Sequence, residues 1–79
     1  MKRVAVIGAS GRMGTAVVEA VGACADMEVV ARLDAGDTIS RESLGGAEVA
    51  VEFTSPASSE ANVHALLDAG VEAVVGTTG

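Results

Sequence analysis

The sequence predicts an α/β fold, an open parallel sheet of four strands in the order 2-1-3-4 with helices on both faces. Short runs of Val, Ala and Ile alternate along the chain with segments whose apolar residues recur every three or four positions. Strands that alternate with helices are joined by right-handed crossovers and form parallel sheets. Since Phe53 is the only aromatic residue, the core must consist of Val, Ala, Leu and Ile, as is typical of a helix-covered parallel sheet.

The elements are predicted in chain order. Strands are expected at residues 2–7, 28–33, 48–53 and 71–75, and helices at residues 12–24 and from residues 54–56 to the stop signal at Gly70. Residues 35–46 are too few for a full crossover helix and strand, so we expect a loop with one helical turn around residues 40–44.

Each helix is predicted to bury one face. In the first helix the predicted buried residues are Met13, Ala16, Val17, Ala20, Val21 and Cys24. Cys24, the single cysteine, is therefore expected to be a packed thiol. In the second helix Ser55 is a plausible N-cap and Pro56 suits the first position. Its buried stripe is predicted as Val63, Leu66 and Leu67, and its solvated stripe as Glu60, His64 and Asp68.

Glycines follow the first strand with the spacing G-x-x-G-x-x-G, a variant of the dinucleotide-binding fingerprint. Gly8 permits a sharp turn, Gly11 lets the backbone approach a pyrophosphate, and Gly14 lets the helix pack closely on the sheet. The anion is expected to bind backbone N–H groups at the positive end of the helix. The spacing alone is weak, but its place between a strand and an amphipathic helix predicts a Rossmann-type fold.

Asp34 lies twenty residues beyond Gly14 at the end of the second strand. A carboxylate there can accept hydrogen bonds from both adenosine ribose hydroxyls, which favours NAD. Arg12 inside the loop favours NADP, since it can neutralise a 2′-phosphate. Both cofactors stay open at this point. The alternatives are an ordinary acid in a turn for Asp34 and a solvated first-turn residue for Arg12.

Two further segments follow strands at the same predicted edge, Thr54-Ser55-Pro56 and Gly76-Thr77-Thr78-Gly79. Their small hydroxyl residues and backbone amides can reach the nicotinamide end, although capping and a plain turn explain them equally well. His64 is interpreted as a solvated surface residue rather than as a catalytic acid or base. Glu52 is a charge inside a strand expected to be buried; the crevice and a sheet edge are the two orientations considered for it, and the sequence does not explain it further.

The net charge of −6 repels a phosphate backbone, so nucleic acid is not expected as a partner. The apolar run at residues 4–7 is too short for a signal peptide or a membrane span. We therefore expect a cytoplasmic protein that binds no membrane. No metal site is predicted.

Three segments in this order resemble the dihydrodipicolinate (4-hydroxy-tetrahydrodipicolinate) reductase family of the diaminopimelate and lysine pathway. They are VAVIGASGRMG at residues 4–14, VEFTSP at residues 51–56 and VVGTTG at residues 74–79. The short loop and the run LDAGD at residues 33–37 are similar to compact, actinobacterial members. The chain departs from the family at Glu52, usually Asp, and at Ser10, which is a lysine in some relatives, so NADP affinity rests more on Arg12.

The resemblance implies NADH or NADPH as cofactor and assigns roles by position. The pyrophosphate would be wrapped by Gly8, Ala9, Ser10, Gly11, Arg12 and Met13, the ribose held by Asp34, and the nicotinamide site formed by Phe53, Thr54, Gly76, Thr77 and Thr78.

The resemblance also implies a small cyclic dicarboxylate substrate and a homotetramer built through a second domain, whose histidine pair and lysine serve catalysis. This chain has one histidine and one lysine, His64 and Lys2, so no catalytic residue is assigned in it. Residues 1–79 are expected to be a partial dinucleotide-binding domain without the substrate and tetramerisation domain. The alternatives are another reductase with this loop, such as an aspartate-semialdehyde or homoserine dehydrogenase, a nucleotide-sensing module without chemistry, and a purely structural α/β unit.

Overall fold

A computed structural model describes residues 2–9, 11–34, 37–53 and 56–76 of the chain. Its elements are β1 (Lys2–Ile7), α1 (Arg12–Gly22), β2 (Met27–Leu33), β3 (Val49–Glu52), α2 (Pro56–Asp68) and β4 (Glu72–Val75). Within α2 the side chains are described from residue 60 onward. Strands and helices alternate as predicted, and Pro56 is the first residue of α2, whereas its predicted N-cap, Ser55, lies outside the described residues.

The four strands form one parallel sheet in the order β2-β1-β3-β4, which confirms the predicted topology. One row of paired residues crosses it near the carboxyl ends of the strands. Ile7 of β1 pairs with Leu33 of β2 and with Glu52 of β3, and Glu52 pairs with Val75 of β4. The segments that follow the four strands therefore leave the sheet at one edge.

The core has two layers, one on each face of the sheet, because alternate side chains of β1 point to opposite faces. Ala5 and Ile7 pack with Leu44 and with Leu66 of α2 on one face. On the other face Val4 and Val6 pack with Val21 of α1. A helix thus covers each face, as predicted.

The connection from β2 to β3 contains the predicted helical turn. The backbone N–H of Leu44 donates to the carbonyl of Ser40 at 3.0 Å, and the Ser40 and Ser43 hydroxyls each accept the other residue's backbone N–H. The turn buries the Leu44 side chain in the core. A loop too short for a crossover helix therefore still contributes to the apolar layer on the α2 side.

The predicted buried face of the first helix is wrong in part. Val17 and Val21 face the core, but Met13 is 53% exposed, and Ala16, Ala20 and Cys24 are also exposed. The helix ends at Gly22, so Cys24 lies beyond it and its thiol is exposed rather than packed. Gly14 is buried at the start of the true face and Val18 is half-buried on it. Contact of Gly14 with the glycine turn sets the rotation of α1, which the apolar pattern alone cannot reveal.

The predicted buried stripe of the second helix is also wrong in part. Leu66 is fully buried as predicted and Val63 is half-buried, but Leu67 is 60% exposed. Half-buried Asn62, one turn before Leu66, takes the place expected for an apolar residue. Glu60, His64 and Asp68 are exposed, as predicted, and Gly70 ends the helix at φ 76°.

The strand ends differ from the prediction by one residue at several places. β2 begins at Met27 rather than residue 28, β3 spans Val49–Glu52 rather than residues 48–53, and β4 begins at Glu72 rather than residue 71. Val71 donates its N–H to Leu66 of α2 at 3.0 Å, so its backbone belongs to the helix end rather than to the strand ladder. In the described part of the chain, no helix is long and apolar enough to cross a membrane.

Candidate functional site at the carboxyl edge of the sheet

The sheet brings the four candidate segments to one edge. Gly8, Asp34, Phe53 and Gly76 each follow a member of the paired row that crosses the sheet. β1 and β3 are neighbours, and the chain continues from them toward opposite faces, into α1 and α2. Ligands of open α/β sheets bind in the crevice at such a switch point.

The glycine turn is fastened to the end of β2. The backbone N–H groups of Gly8 and Ala9 both donate to the Leu33 carbonyl, at 2.6 and 3.1 Å. Gly8 has φ 89°, in the left-handed region that glycine adopts without a steric penalty. The turn therefore lies beside Asp34, the residue after Leu33, and its shape requires glycine at position 8, as predicted.

Gly14 is the point where α1 packs against this turn. A Cβ atom at Gly14 would collide with the Gly8 carbonyl oxygen and would lie 2.7 Å from the Ala9 Cα. Because both obstacles are backbone atoms, no side-chain rearrangement can relieve the collision. The close packing of α1 predicted at Gly14 is confirmed, although the atoms that it meets belong to the glycine turn rather than to the sheet.

Gly11 differs from Gly14, because a Cβ there would lie 3.5 Å from the Gly8 carbonyl oxygen, an ordinary contact. Its backbone at φ −75° and ψ 170° is open to any residue. Among the described residues, no neighbour therefore requires glycine at this exposed position.

The start of α1 offers donors for an anion. The first intrahelical bond runs from Thr15 N–H to the Gly11 carbonyl at 2.8 Å, which leaves the N–H groups of Arg12, Met13 and Gly14 without an intrahelical acceptor. Gly11 provides no side-chain cap, and the first turn contains no acidic residue. Arg12 and Met13 are exposed at this positive helix end, and Ser10 lies outside the described residues.

Asp34 is half-buried, and its backbone is held by a residue that the sequence did not single out. Its N–H donates to the Asp37 carboxylate at 2.8 Å, and the Asp37 N–H donates back to the Asp34 carbonyl at 3.0 Å. This closed turn fixes where the Asp34 side chain leaves the strand. The spacing Asp-x-x-Asp directly after a strand could have predicted this role of Asp37 from the sequence.

Phe53 and Gly76 meet at the other side of the edge. A Cβ at Gly76 would collide with the Phe53 ring, with ring atoms Cδ1 at 2.7 Å and Cζ at 3.1 Å. The ring therefore lies directly on the Gly76 backbone and joins the segments that follow β3 and β4. The remaining predicted residues of these segments, Thr54, Thr77 and Thr78, lie outside the described residues.

Glu52 is fully buried on the face of the sheet that α2 covers, so it faces neither a sheet edge nor the open crevice, and both expected orientations are wrong. The Asn62 side-chain amide of α2 donates to the Glu52 carboxylate at 3.4 Å. Asn62 was missed at the sequence level, because an apolar pattern passes over polar residues. A buried carboxylate needs a hydrogen-bond donor. The position of Asn62, one helical turn before the buried Leu66, could have predicted that its amide is this donor.

His64 does not join this edge. It is exposed on α2 with its Nε2 atom 4.0 Å from a carboxylate oxygen of Glu60, in agreement with the solvated face predicted for it. Among the described residues, no group of three or more His, Cys, Asp or Glu side chains is placed to hold a metal ion.

A shallow cleft of about 200 Å³ lies at the opposite edge of the sheet, lined by Arg41, Leu44, Gly46, Ala47, Ala69, Gly70 and Val71. It is formed by turns that precede β3 and β4. Since ligands in parallel sheets bind at the carboxyl ends of the strands, this cleft is not the candidate cofactor site.

The strand order, the glycine turn and the helix that follows it define a Rossmann-like α/β domain of the dinucleotide-binding class. The family model described as dihydrodipicolinate reductase, N-terminus, matches residues 2–79. The chain belongs to this family. This match favours the dihydrodipicolinate reductase family over the alternative assignments, the aspartate-semialdehyde and homoserine dehydrogenases.

Relatives agree with this assignment. The chain is 58% identical over 77 residues to the 4-hydroxy-tetrahydrodipicolinate reductase of Beutenbergia cavernae, covering 98% of this chain and 31% of that protein. It is 53% identical over 79 residues to the enzyme of that name from Bifidobacterium animalis subsp. lactis, covering all of this chain and 31% of the relative. The protein of that name from Streptomyces coelicolor is 53% identical over 77 residues. The chain spans about a third of the length of these relatives.

Proposed function

We propose that this chain is the NAD(P)H-binding part of a 4-hydroxy-tetrahydrodipicolinate reductase, an oxidoreductase of diaminopimelate and lysine biosynthesis. The observation that carries the proposal is the glycine turn, which two hydrogen bonds to Leu33 fix beside Asp34. It occurs in a chain that matches the N-terminal family model over residues 2–79.

The residues present fit a dinucleotide. Gly8 to Met13 would hold the pyrophosphate, because this stretch combines open space at Gly11 with backbone donors at the start of α1. Asp34 would accept hydrogen bonds from the adenosine ribose. Phe53, Thr54, Gly76, Thr77 and Thr78 would form the nicotinamide end, which the contact between Phe53 and Gly76 supports.

Both NADH and NADPH are proposed as cofactors. Asp34 favours the ribose diol, since a carboxylate repels a 2′-phosphate. Arg12 is exposed at the start of α1 and forms no salt bridge within the described residues, so its guanidinium is available to a 2′-phosphate. The two side chains favour opposite cofactors, which supports dual use.

When bound, the reduced nicotinamide would supply a hydride to a cyclic dicarboxylate imine or to its hydroxylated precursor. The chain's own residues bind and orient that cofactor. His64 is exposed on α2 and Lys2 lies in β1, whose amino end is far from the carboxyl edge. We therefore propose that the proton donor and the substrate-binding groups come from another part of a longer enzyme, and that residues 1–79 are part of its dinucleotide-binding domain.

For the whole enzyme we propose a homotetramer located in the cytoplasm, acting on a small cyclic dicarboxylate. The name that these relatives share, 4-hydroxy-tetrahydrodipicolinate reductase, supports the substrate. The gene beyond Gly79 tests this assignment. It should encode a Glu-x-His-His-x-x-Lys segment, and a gene that continues without such a segment contradicts the reductase assignment.

Cofactor binding is tested by thermal unfolding of the chain with NADH. NADH at about tenfold excess over its Kd should raise Tm by about 8 °C. Asp34→Ala should weaken binding by about tenfold and reduce the shift, because a hydrogen-bonded carboxylate is lost. Asp26→Ala is the matched control, since Asp26 is exposed just before the opposite end of the same strand. Absence of any shift in the wild-type chain at millimolar NADH contradicts the proposal.

A further inference from the structure

Glu52 is a buried acidic residue that joins β3 to three neighbouring elements, since it pairs with Ile7 of β1 and Val75 of β4 and accepts a hydrogen bond from Asn62 of α2. Its side chain is fully buried at the end of β3. Burial of a carboxylate is costly even when it is hydrogen-bonded, and an apolar residue can often fill such a position at lower cost. Packing alone therefore does not explain a glutamate there.

The backbone around Glu52 holds the two segments proposed for the nicotinamide end. Gly76 N–H donates to the Glu52 carbonyl at 2.8 Å, and Phe53 N–H donates to the Ile7 carbonyl at 2.9 Å. The Phe53 ring then lies on Gly76. A shift at the end of β3 would consequently move both segments.

The Glu52 side chain ties this point to α2. Asn62 donates to its carboxylate at 3.4 Å from the second turn of that helix. Only residues 53–55 connect Glu52 to Pro56, where α2 begins. The distance between β3 and α2 therefore bears directly on Phe53, the residue that follows Glu52.

We propose that Glu52 and Asn62 are a positioning pair for the nicotinamide end of the cofactor site. They act through Phe53 and Gly76, without contacting the cofactor. This inference rests on the proposed function. Its consequence is specific, because loss of the pair should affect the nicotinamide half of the dinucleotide and leave the adenosine half, at the glycine turn and Asp34, undisturbed.

The test compares NADH with ADP-ribose, which lacks only the nicotinamide, by calorimetric titration of the chain. The wild-type chain should bind NADH about tenfold more tightly than ADP-ribose. Asn62→Ala and Glu52→Ala should remove that difference while the Kd for ADP-ribose changes by less than about twofold. Glu52→Gln, which keeps the shape and an acceptor oxygen, should retain most of the preference.

Val63→Ala is the matched control, since Val63 is the half-buried neighbour of Asn62 on the same helix. It should lower Tm and leave the preference for NADH unchanged. Circular dichroism identifies variants that fail to fold. If Glu52→Ala does not fold, the single variants Glu52→Gln and Asn62→Ala are sufficient to test the positioning role.

The outcomes separate the two proposals. Failure of the wild-type chain to bind either ligand overturns the proposed function, and the positioning role with it. If the wild-type chain binds both ligands equally, or if Asn62→Ala weakens both to the same extent or neither, the positioning role is overturned while dinucleotide binding stands.

Discussion

At the scale of single residues, two glycines of one turn are constrained by different neighbours. Gly14 is confined by the backbone of Gly8 and Ala9. Gly11 is exposed, and a Cβ there meets the protein only at an ordinary distance. Stability and ligand binding should therefore respond differently to the same added methyl group at the two positions.

The pair Gly14→Ala and Gly11→Ala tests this difference. Gly14→Ala should lower the free energy of unfolding by about 3 kcal/mol or more, because α1 must move away from the turn. Gly11→Ala should cost about 1 kcal/mol or less, yet it should weaken NADH binding, because its methyl group occupies the space proposed for the pyrophosphate. Urea unfolding and NADH titration measure the two effects. Equal losses of unfolding free energy in the two variants would contradict the different constraints on Gly14 and Gly11.

At the scale of elements, the rotation of each helix about its axis agrees with its polar and glycine contacts. Gly14 packs on the glycine turn while Met13 is exposed, and Asn62 bonds Glu52 while Leu66 faces the sheet and Leu67 does not. Neighbouring leucines on one helix therefore have opposite environments.

Leu66→Ala and Leu67→Ala measure the rotation of α2. Leu66→Ala should destabilise the chain by about 2–5 kcal/mol, because it leaves a cavity in the core layer. Leu67→Ala should change the free energy of unfolding by less than about 0.5 kcal/mol, because its side chain is largely in water. Chemical denaturation followed by circular dichroism gives both values. A larger loss for Leu67→Ala shows that the helix is rotated differently.

At the scale of the whole molecule, the amino end of β1 is joined to the residue before β3 across 45 positions of sequence. Arg3 N–H donates to the Glu48 carboxylate at 3.0 Å, and Glu48 N–H donates to the Arg3 carbonyl at 2.9 Å. The hydrogen bond from Arg3 holds the pKa of Glu48 below its ordinary value of 4.5, and the positive charges of Arg3 and Lys2 act in the same direction. Titration of Glu48 is therefore linked to unfolding of the sheet.

The acid side of the stability profile should reflect this link. Because the folded-state pKa is lowered, the stabilisation is present above about pH 4.5 and is lost as pH falls through the folded-state value. Glu48→Gln should therefore show a smaller fall in Tm than the wild type between about pH 5 and about pH 3. Glu42→Gln, at an exposed turn residue, is the control and should follow the wild type. An unchanged acid profile in Glu48→Gln contradicts the assignment.

The sequence by itself determined the class of this protein. Apolar runs and glycine spacing are local properties, so they predicted the four strands, the order 2-1-3-4, the turn at Gly8 and the close packing of Gly14. The placement of the predicted site segments at one edge also followed, because parallel strands end on the same side of a sheet.

Only the tertiary structure decided which way the helices face and what a buried charge does. Met13 and Leu67 were assigned to buried stripes because hydrophobic periodicity tolerates a rotation of one residue, whereas contacts between distant residues do not. The same limit hid Asn62 as the partner of Glu52 and Asp37 as the support of Asp34. A polar residue acquires such a role only when folding brings its partner within hydrogen-bonding distance.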